Sequence, residues 1–98
     1  MLDVLLLFPK SADPGILDEV VAMLVPVMKG AAGLRSLRVS DGELMARGAP
    51  PPYSRVIEAS FESLADWMAH VEVLKAHQEF AAIGRVEPLV VFFEVREP

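Results

Sequence analysis

Residues 16–29, which read ILDEVVAMLVPVMK, constrain the fold of this chain more than any other segment. If the segment is helical, its apolar side chains cover an arc of roughly 160°, whereas a surface helix needs an apolar stripe of only about 100°. No charged residue interrupts the apolar run from Val20 to Met28. The surplus apolar surface must therefore face a second neighbour, which we expect to be a partner subunit or an apolar cavity.

The composition also favours a protein that buries more apolar surface than one small domain can cover. Hydrophobic residues make up 53% of the 98 residues, yet a domain of this length buries only about 60–68% of the surface of its unfolded chain. The longest charge-free apolar run contains Pro26 and is less than half the length of about 20 residues that a membrane span needs. We therefore expect one domain over residues 1–98, no membrane span, and a homodimer.

The cysteine count and the charge exclude several classes of protein. The chain has no cysteine, which removes disulfides, thiolate catalysis and zinc–sulfur sites. Its net charge is −5 and its nine Lys and Arg residues are scattered, whereas a nucleic-acid-binding protein needs a clustered basic face. We therefore expect no nucleic-acid partner and, by elimination, a cytoplasmic protein.

Apolar runs and turn signals predict the order of the helices and strands. Asp13 and Pro14 are the N-cap and first residue that helices favour, and Ser63 with Asp66 resembles a capping box before a second helix. The predicted elements are a strand at 2–8, a helix at 14–29, a strand at 34–40, a loop at 42–53, a strand at 55–61, a helix from 64 to a break near 76, a short helical piece ending at Gly84, and a strand at 89–95.

This β-α-β-β-α-β order predicts an α+β, ferredoxin-like fold, with a four-stranded antiparallel sheet and both helices on one face. The first and last strands are apolar on both faces, so the second face of the sheet also needs cover. The sheet of another copy is the natural cover, and it leads again to a homodimer.

Short motifs along nearly the whole chain resemble the dimeric α+β barrel superfamily and, within it, EthD-type proteins. The matching residues are Pro26, Gly33, Leu34, Glu58, Phe61 and Ser63. The resemblance implies that the ferredoxin-like domain forms a dimeric α+β barrel. Leu24 departs from the pattern, because EthD-type proteins often have a histidine at that position.

The second helix, with His70 and His77 in the stretch HVEVLKAHQEF, is instead similar to the related antibiotic-biosynthesis monooxygenases. That resemblance implies a small cofactorless enzyme that acts on aromatic, polyketide-like substrates.

His70 and His77 project within about 20° of each other on a continuous helix, at the margin of its apolar face. A neutral imidazole there can act as general base toward a phenol or enol. The alternative is that both histidines cap the edge of a buried face in contact with solvent. A metal site is not expected, because two ligands two turns apart do not chelate one ion together.

Arg38 and Glu58 are candidates for substrate binding, because they lie on adjacent strands and can face each other. On an enclosed sheet face they provide a carboxylate with a shifted pKa and a cation that holds an oxyanion. The alternative is a structural ion pair at a strand end or at the dimer seam. Arg35 and Arg55 are substitutes for the same role.

The remaining candidates line the expected apolar cavity. Tyr53 offers a hydroxyl at the entrance of the third strand, although a tyrosine after three prolines is also ordinary loop sequence. Trp67, Met68 and Met23 can form a pocket for an aromatic ligand, but at helical spacing such residues are more often part of the core. Leu24 keeps the wall apolar where relatives have a histidine.

Two functions follow from these residues and from the family resemblance. The first is an enzyme that performs cofactorless oxygenation, isomerisation or cyclisation of a hydrophobic metabolite, with His70 or His77 as base. The second is a non-catalytic ligand-binding, stress-related or accessory protein of the same fold, which Leu24 favours. A purely structural dimer module is a third possibility, and the fold alone does not decide between them.

Overall fold

A computed structural model of the chain describes residues 1–76, 86 and 88–96. The elements are β1 (Leu2–Pro9), α1 (Pro14–Lys29), β2 (Leu34–Val39), β3 (Tyr53–Phe61), α2 (Leu64–Ala76) and β4 (Leu89–Glu94). The strands form one antiparallel sheet in the order β2-β3-β1-β4. The predicted ferredoxin-like βαββαβ arrangement is therefore confirmed.

Helix α1 has the predicted bounds, because its caps are encoded locally. The Asp13 carboxylate accepts hydrogen bonds from the backbone N–H groups of Gly15 (2.8 Å) and Ile16 (3.3 Å), and Pro14 occupies the first turn. One stripe of the helix is buried against the sheet, and its members are Leu17, Val20, Leu24 and Met28. No helix in the described part of the chain is long and apolar enough to cross a membrane.

The two faces of the sheet are unequally covered. On β1, the residues that face the helices are buried, and the alternate residues, such as Leu5 and Leu7, are half-buried. The open face continues onto β4, where Val91 pairs with Leu5 and Phe93 pairs with Asp3. All residues of β4 are exposed. Within one chain the second face of the sheet is therefore uncovered.

Strand β3 begins earlier than predicted. Tyr53 and Ser54 belong to β3 rather than to the preceding loop, because Tyr53 pairs with Pro9 and the Lys10 N–H donates to the Pro52 carbonyl (2.9 Å). The three prolines end before the strand, as their missing N–H groups require. The predicted short helical piece that ends at Gly84 lies outside the described residues.

Helix α2 is rotated relative to the prediction. Helical spacing places Leu64, Trp67, Met68, Val71 and Leu74 on one predicted apolar face. In the structure Leu64 and Met68 are exposed, and the buried residues are Trp67, His70 and Leu74. Two contacts of Asp66, one within α2 and its N-cap and one with a distant part of the chain, hold the helix in this orientation. Its backbone N–H donates to Ser63 Oγ (3.2 Å), and its side chain lies against Gly33, where a Cβ atom would overlap it. Gly33 also has a φ of 80°, which L side chains rarely adopt.

Candidate functional site

Three aromatic side chains form a buried cluster between α2 and the end of β3. The ring centroids of Phe61 and Trp67 are 5.5 Å apart, those of Phe61 and His70 are 5.9 Å apart, and those of Trp67 and His70 are 6.3 Å apart. Tilted rings at these separations attract one another beyond the area that they bury. The exposed fractions are 0% for Phe61 and 3% each for Trp67 and His70. We refer to these three residues as the aromatic cluster.

The cluster follows from short-range geometry. Trp67 and His70 are three residues apart on α2 and so share one face of the helix. Phe61 is the last residue of β3, and only Glu62 and the N-cap Ser63 separate it from the helix. Ser63 Oγ also donates to Asp66 Oδ2 (3.1 Å), which completes the N-cap that starts α2 at this point. The strand end and the first turns of the helix therefore hold the three rings together.

The burial of His70 corrects one expectation. We expected it at the margin of the apolar face, yet it lies inside the core. A solvent-contacting edge is therefore the wrong description of His70. Its role as a base stays a prediction, and His77 lies outside the described residues. The sequence analysis did not identify Phe61 as a neighbour of His70. The signal was present, because Phe61 lies two residues before Ser63, where the predicted capping box starts α2.

The other cavity-lining candidates on the helices divide between core and edge. Leu24 is buried in the same hydrophobic core as Trp67 and Phe61. The position at which EthD-type proteins often have a histidine is therefore apolar in this chain. Met23 is half-buried on α1. Met68 is exposed whereas Trp67 is buried, so Met68 does not join the pocket that we expected it to form with Trp67.

The polar candidates lie on the sheet. Arg38 and Glu58 are directly opposite each other on β2 and β3, and their side chains form an ion pair. Strand alternation places this pair on the open face, opposite the aromatic cluster, so in one chain it is not enclosed. Tyr53 is half-buried at the start of β3. The predicted site residues are therefore not gathered at one place within the described chain.

A cavity of about 220 Å³ opens at the other end of β3. It lies where α1, the end of β2 and the start of β3 meet, and its lining residues are Asp18, Val21, Val39, Ser40, Asp41, Gly42 and Arg55. None of the predicted site residues that the structure describes lines this cavity. Arg55, which we named only as a substitute anchor, is part of it. The described residues contain no cluster of three or more His, Cys, Asp or Glu side chains that could hold a metal ion.

Solved structures with the same fold cover almost all of the chain. An EthD family protein from Bacillus halodurans is 13% identical, with a TM-score of 0.74, over 98% of this chain and 99% of the other. A point mutant of SnoaB from Streptomyces nogalater, a cofactor-independent oxygenase, is 12% identical, with a TM-score of 0.73, over 99% and 94%. A dimeric ferredoxin-like protein of unknown function from Thermobifida fusca is 16% identical, with a TM-score of 0.71, over 96% and 90%.

At these identities the likeness is one of fold. The resemblance inferred from the short motifs is confirmed to that extent, since the chain has the fold of EthD family proteins and of SnoaB. At the level of sequence, no protein-family model matches the chain, and no curated protein matches it.

Proposed function

We propose that the chain forms a homodimer that binds a hydrophobic, aromatic metabolite between the helices and the sheet, and that it oxygenates or isomerises this metabolite without a cofactor. The observation that carries the proposal is the aromatic cluster. It combines an imidazole, which is a proton acceptor when neutral, with the aromatic rings of Phe61 and Trp67, and a planar ligand that displaces part of their present packing can stack on these rings.

The proposed chemistry needs one base in apolar surroundings. His70 accepts the O–H proton of a phenol or enol, and the resulting anion is electron-rich enough to react with dioxygen directly. A carbon–oxygen bond forms, a CH₂ group next to the anion becomes a carbonyl, and the second oxygen atom leaves as water. Dioxygen is the oxidant, so this balance requires no external reductant. Isomerisation needs only the proton transfer, with return of the proton to another carbon.

The fold supports this choice among the reactions that a buried base can assist. SnoaB, which is described as a cofactor-independent oxygenase, has the same fold over 99% of this chain. Fold likeness does not by itself fix a reaction. It does favour a cofactorless oxygenase over the many other enzymes that use a histidine base.

The open face of the sheet supports the homodimer. Leu5 and Leu7 are half-buried there, and Val91 and Phe93 are exposed. Soluble monomers rarely leave such a contiguous apolar patch in water. A second copy of the chain is the proposed cover, because the Thermobifida fusca protein with the same fold is dimeric. In that arrangement the ion pair of Arg38 and Glu58 lies at the subunit interface.

Oxygen uptake with a hydroxylated anthrone, a phenol with an adjacent CH₂ group, tests the catalytic part. Wild type is expected to consume dioxygen above the rate of the uncatalysed reaction. His70→Gln is expected to lower kcat by about 10²–10⁴-fold, which is the range for loss of a general base. Because His70 is buried, the melting temperature and the affinity for the anthrone are measured on the same sample.

His77→Gln is the matched control, since it makes the same change at the other histidine of the chain. A folded His70→Gln variant that binds the anthrone and consumes dioxygen as fast as wild type would show that His70 is not the base. If His77→Gln alone abolished oxygen uptake, the second histidine would take the role.

Light scattering tests the homodimer. Wild type is expected to have twice the 10.7 kDa mass of one chain. Val91→Asp puts a charge on the open face and is expected to give monomers. Val73→Asp is its control, because Val73 is similarly exposed (46% against 37% for Val91) but lies on the outer side of α2. A wild-type mass of one chain at micromolar concentration would exclude the dimer.

Leu24 favours a second candidate function, that of a binding protein without catalysis. Where EthD-type proteins often have a histidine, this chain has a buried leucine, so one polar group is absent from the wall of the proposed site. Saturable binding of the anthrone with no oxygen uptake and no isomerised product would establish this alternative.

A further inference from the structure

The cavity at the amino end of β3 has features of a binding site separate from the aromatic cluster. Arg55 lines the cavity and Phe61 belongs to the cluster, and the two residues lie near opposite ends of β3. An extended strand spans about 20 Å over that distance. No described residue of α2, which carries Trp67 and His70, lines the cavity.

Arg55 is the chemically unusual group in this cavity. Its side chain is only 20% exposed, and its single ionic contact is with Asp18, whose side chain is 69% exposed, at 3.3 Å. Among the residues that the structure describes, this is the only hydrogen bond or ion pair of the Arg55 side chain. A guanidinium has five N–H donors in a planar fork. Most of its donors therefore have no acceptor among the described residues and are available to a ligand in the cavity.

The groups around Arg55 define what can occupy the space. Ser40 Oγ accepts a hydrogen bond from the Val56 N–H (3.0 Å) and so retains its own proton to donate. Val21 and Val39 give the cavity apolar walls. A guanidinium fork and a hydroxyl donor are suited to a carboxylate, and the valines are suited to an aliphatic group attached to it.

Asp41, at the mouth of the cavity, sets the charge of the ligand. Asp41 lines the same space but makes no ion pair with Arg55. It repels a second negative charge, so a monocarboxylate is favoured over a dianion such as hydrogen phosphate.

We propose that this cavity binds the carboxylate of a small aliphatic acid on Arg55 and Ser40, and that Asp18 occupies Arg55 only while the ligand is absent. The exchange replaces one carboxylate by another on the same guanidinium. The Asp18 contact is long and exposed, and exposed pairs of this kind are weak. A ligand that offers both carboxylate oxygens in the plane of the fork is therefore a better partner for Arg55.

Titration of isotope-labelled protein with isobutyrate, followed by amide NMR, tests the proposal. Isobutyrate is expected to shift the amide signals of Ser40, Gly42 and Arg55 saturably. Isobutyramide has the same shape without the charge and is expected to leave them unchanged. Arg55→Met is expected to abolish the shifts. If isobutyramide acted like isobutyrate, the cavity would be an apolar cleft and the proposal would fail.

Asp18→Asn gives the sharper test, because it removes the competing carboxylate and leaves Arg55 in place. It is expected to tighten isobutyrate binding by about two- to fivefold, the range of an exposed ion pair. Glu19→Gln makes the same charge change at the next residue of α1, which has no ion pair among the described residues. Equal effects of the two variants, or no saturable shift in either, would overturn the proposal.

Discussion

The two ends of β3 differ in packing and in the kind of chemistry that they offer. At the carboxyl end, Phe61 is fully buried and in contact with Trp67 and His70. At the amino end, Arg55 borders an open cavity of about 220 Å³. One end has a base and aromatic rings in a filled core, and the other has a cation beside free space.

The comparison shows that burial and room for a ligand are separate properties. The aromatic cluster provides the groups for a reaction, but the side chains that form it are packed against one another. An aromatic ligand must therefore move part of this core in order to reach His70. The cavity at Arg55 can accept a small molecule without such movement, but its residues offer charge complementarity and no imidazole.

The largest expected effect is on stability at the carboxyl end. Phe61→Ala removes a fully buried ring from contact with Trp67 and His70, and we expect it to lower the free energy of unfolding by about 3–5 kcal/mol. Tyr53→Ala changes an aromatic residue at the other end of the strand, where the side chain is half-buried, and is expected to cost less than half as much. Urea unfolding followed by circular dichroism measures both. Equal losses would contradict the difference between the two ends.

The next effect concerns the turn that supports the carboxyl end. Gly33→Ala places a Cβ atom against the Asp66 side chain in a residue with a φ of 80°, and is expected to cost about 2–4 kcal/mol. Gly48→Ala is the control, because Gly48 has a φ of 93° but has no atom within 4 Å of the added group. Its cost is expected to be only the backbone strain of about 1–2 kcal/mol. If both variants lost the same stability, the contact with Asp66 would not matter.

The sequence predicted the features that local signals determine. Asp13, Pro14 and the glycine after Lys29 fix both ends of α1, and the order of apolar segments fixes the βαββαβ topology. The pairing of Arg38 with Glu58 also followed, because adjacent antiparallel strands have a defined register.

The orientation of α2 did not follow from the sequence. Its apolar residues lie on both sides, with Leu64, Met68 and Val73 exposed, so periodicity does not select a buried face. The contact between Asp66 and Gly33 selects it, and this contact joins residues far apart in the chain. For the same reason the burial of His70 was missed. The pairing of Arg55 with Asp18, 37 positions apart, also depends on tertiary structure.

A smaller effect is expected from the N-cap of α2. Ser63→Ala removes the acceptor for the Asp66 N–H and is expected to lower the free energy of unfolding by about 1 kcal/mol. Ser11→Ala, at an exposed turn position with no side-chain hydrogen bond among the described residues, is expected to have no measurable effect. Thermal unfolding of the two variants compares them. A neutral result for Ser63→Ala would mean that other contacts fix the start of α2.

The smallest effect is expected at the amino end of β3. Asp18→Asn removes an exposed ion pair, and we expect it to change the free energy of unfolding by less than about 1 kcal/mol. The same urea experiment measures it beside Phe61→Ala. A loss as large as that of Phe61→Ala would show that the Arg55 contact is part of the stable core rather than an exchangeable occupant of the cavity.

Fluorescence of Trp67 tests the proposed function most directly, because Trp67 is the only tryptophan of the chain and belongs to the aromatic cluster. Titration with the hydroxylated anthrone is expected to quench this fluorescence saturably, with the midpoint equal to the dissociation constant from calorimetry. Isobutyrate, which is proposed to bind at Arg55, is expected to leave it unchanged. Calorimetric binding of the anthrone without any change at Trp67, beyond that of free N-acetyltryptophanamide, would contradict a ligand site at the aromatic cluster.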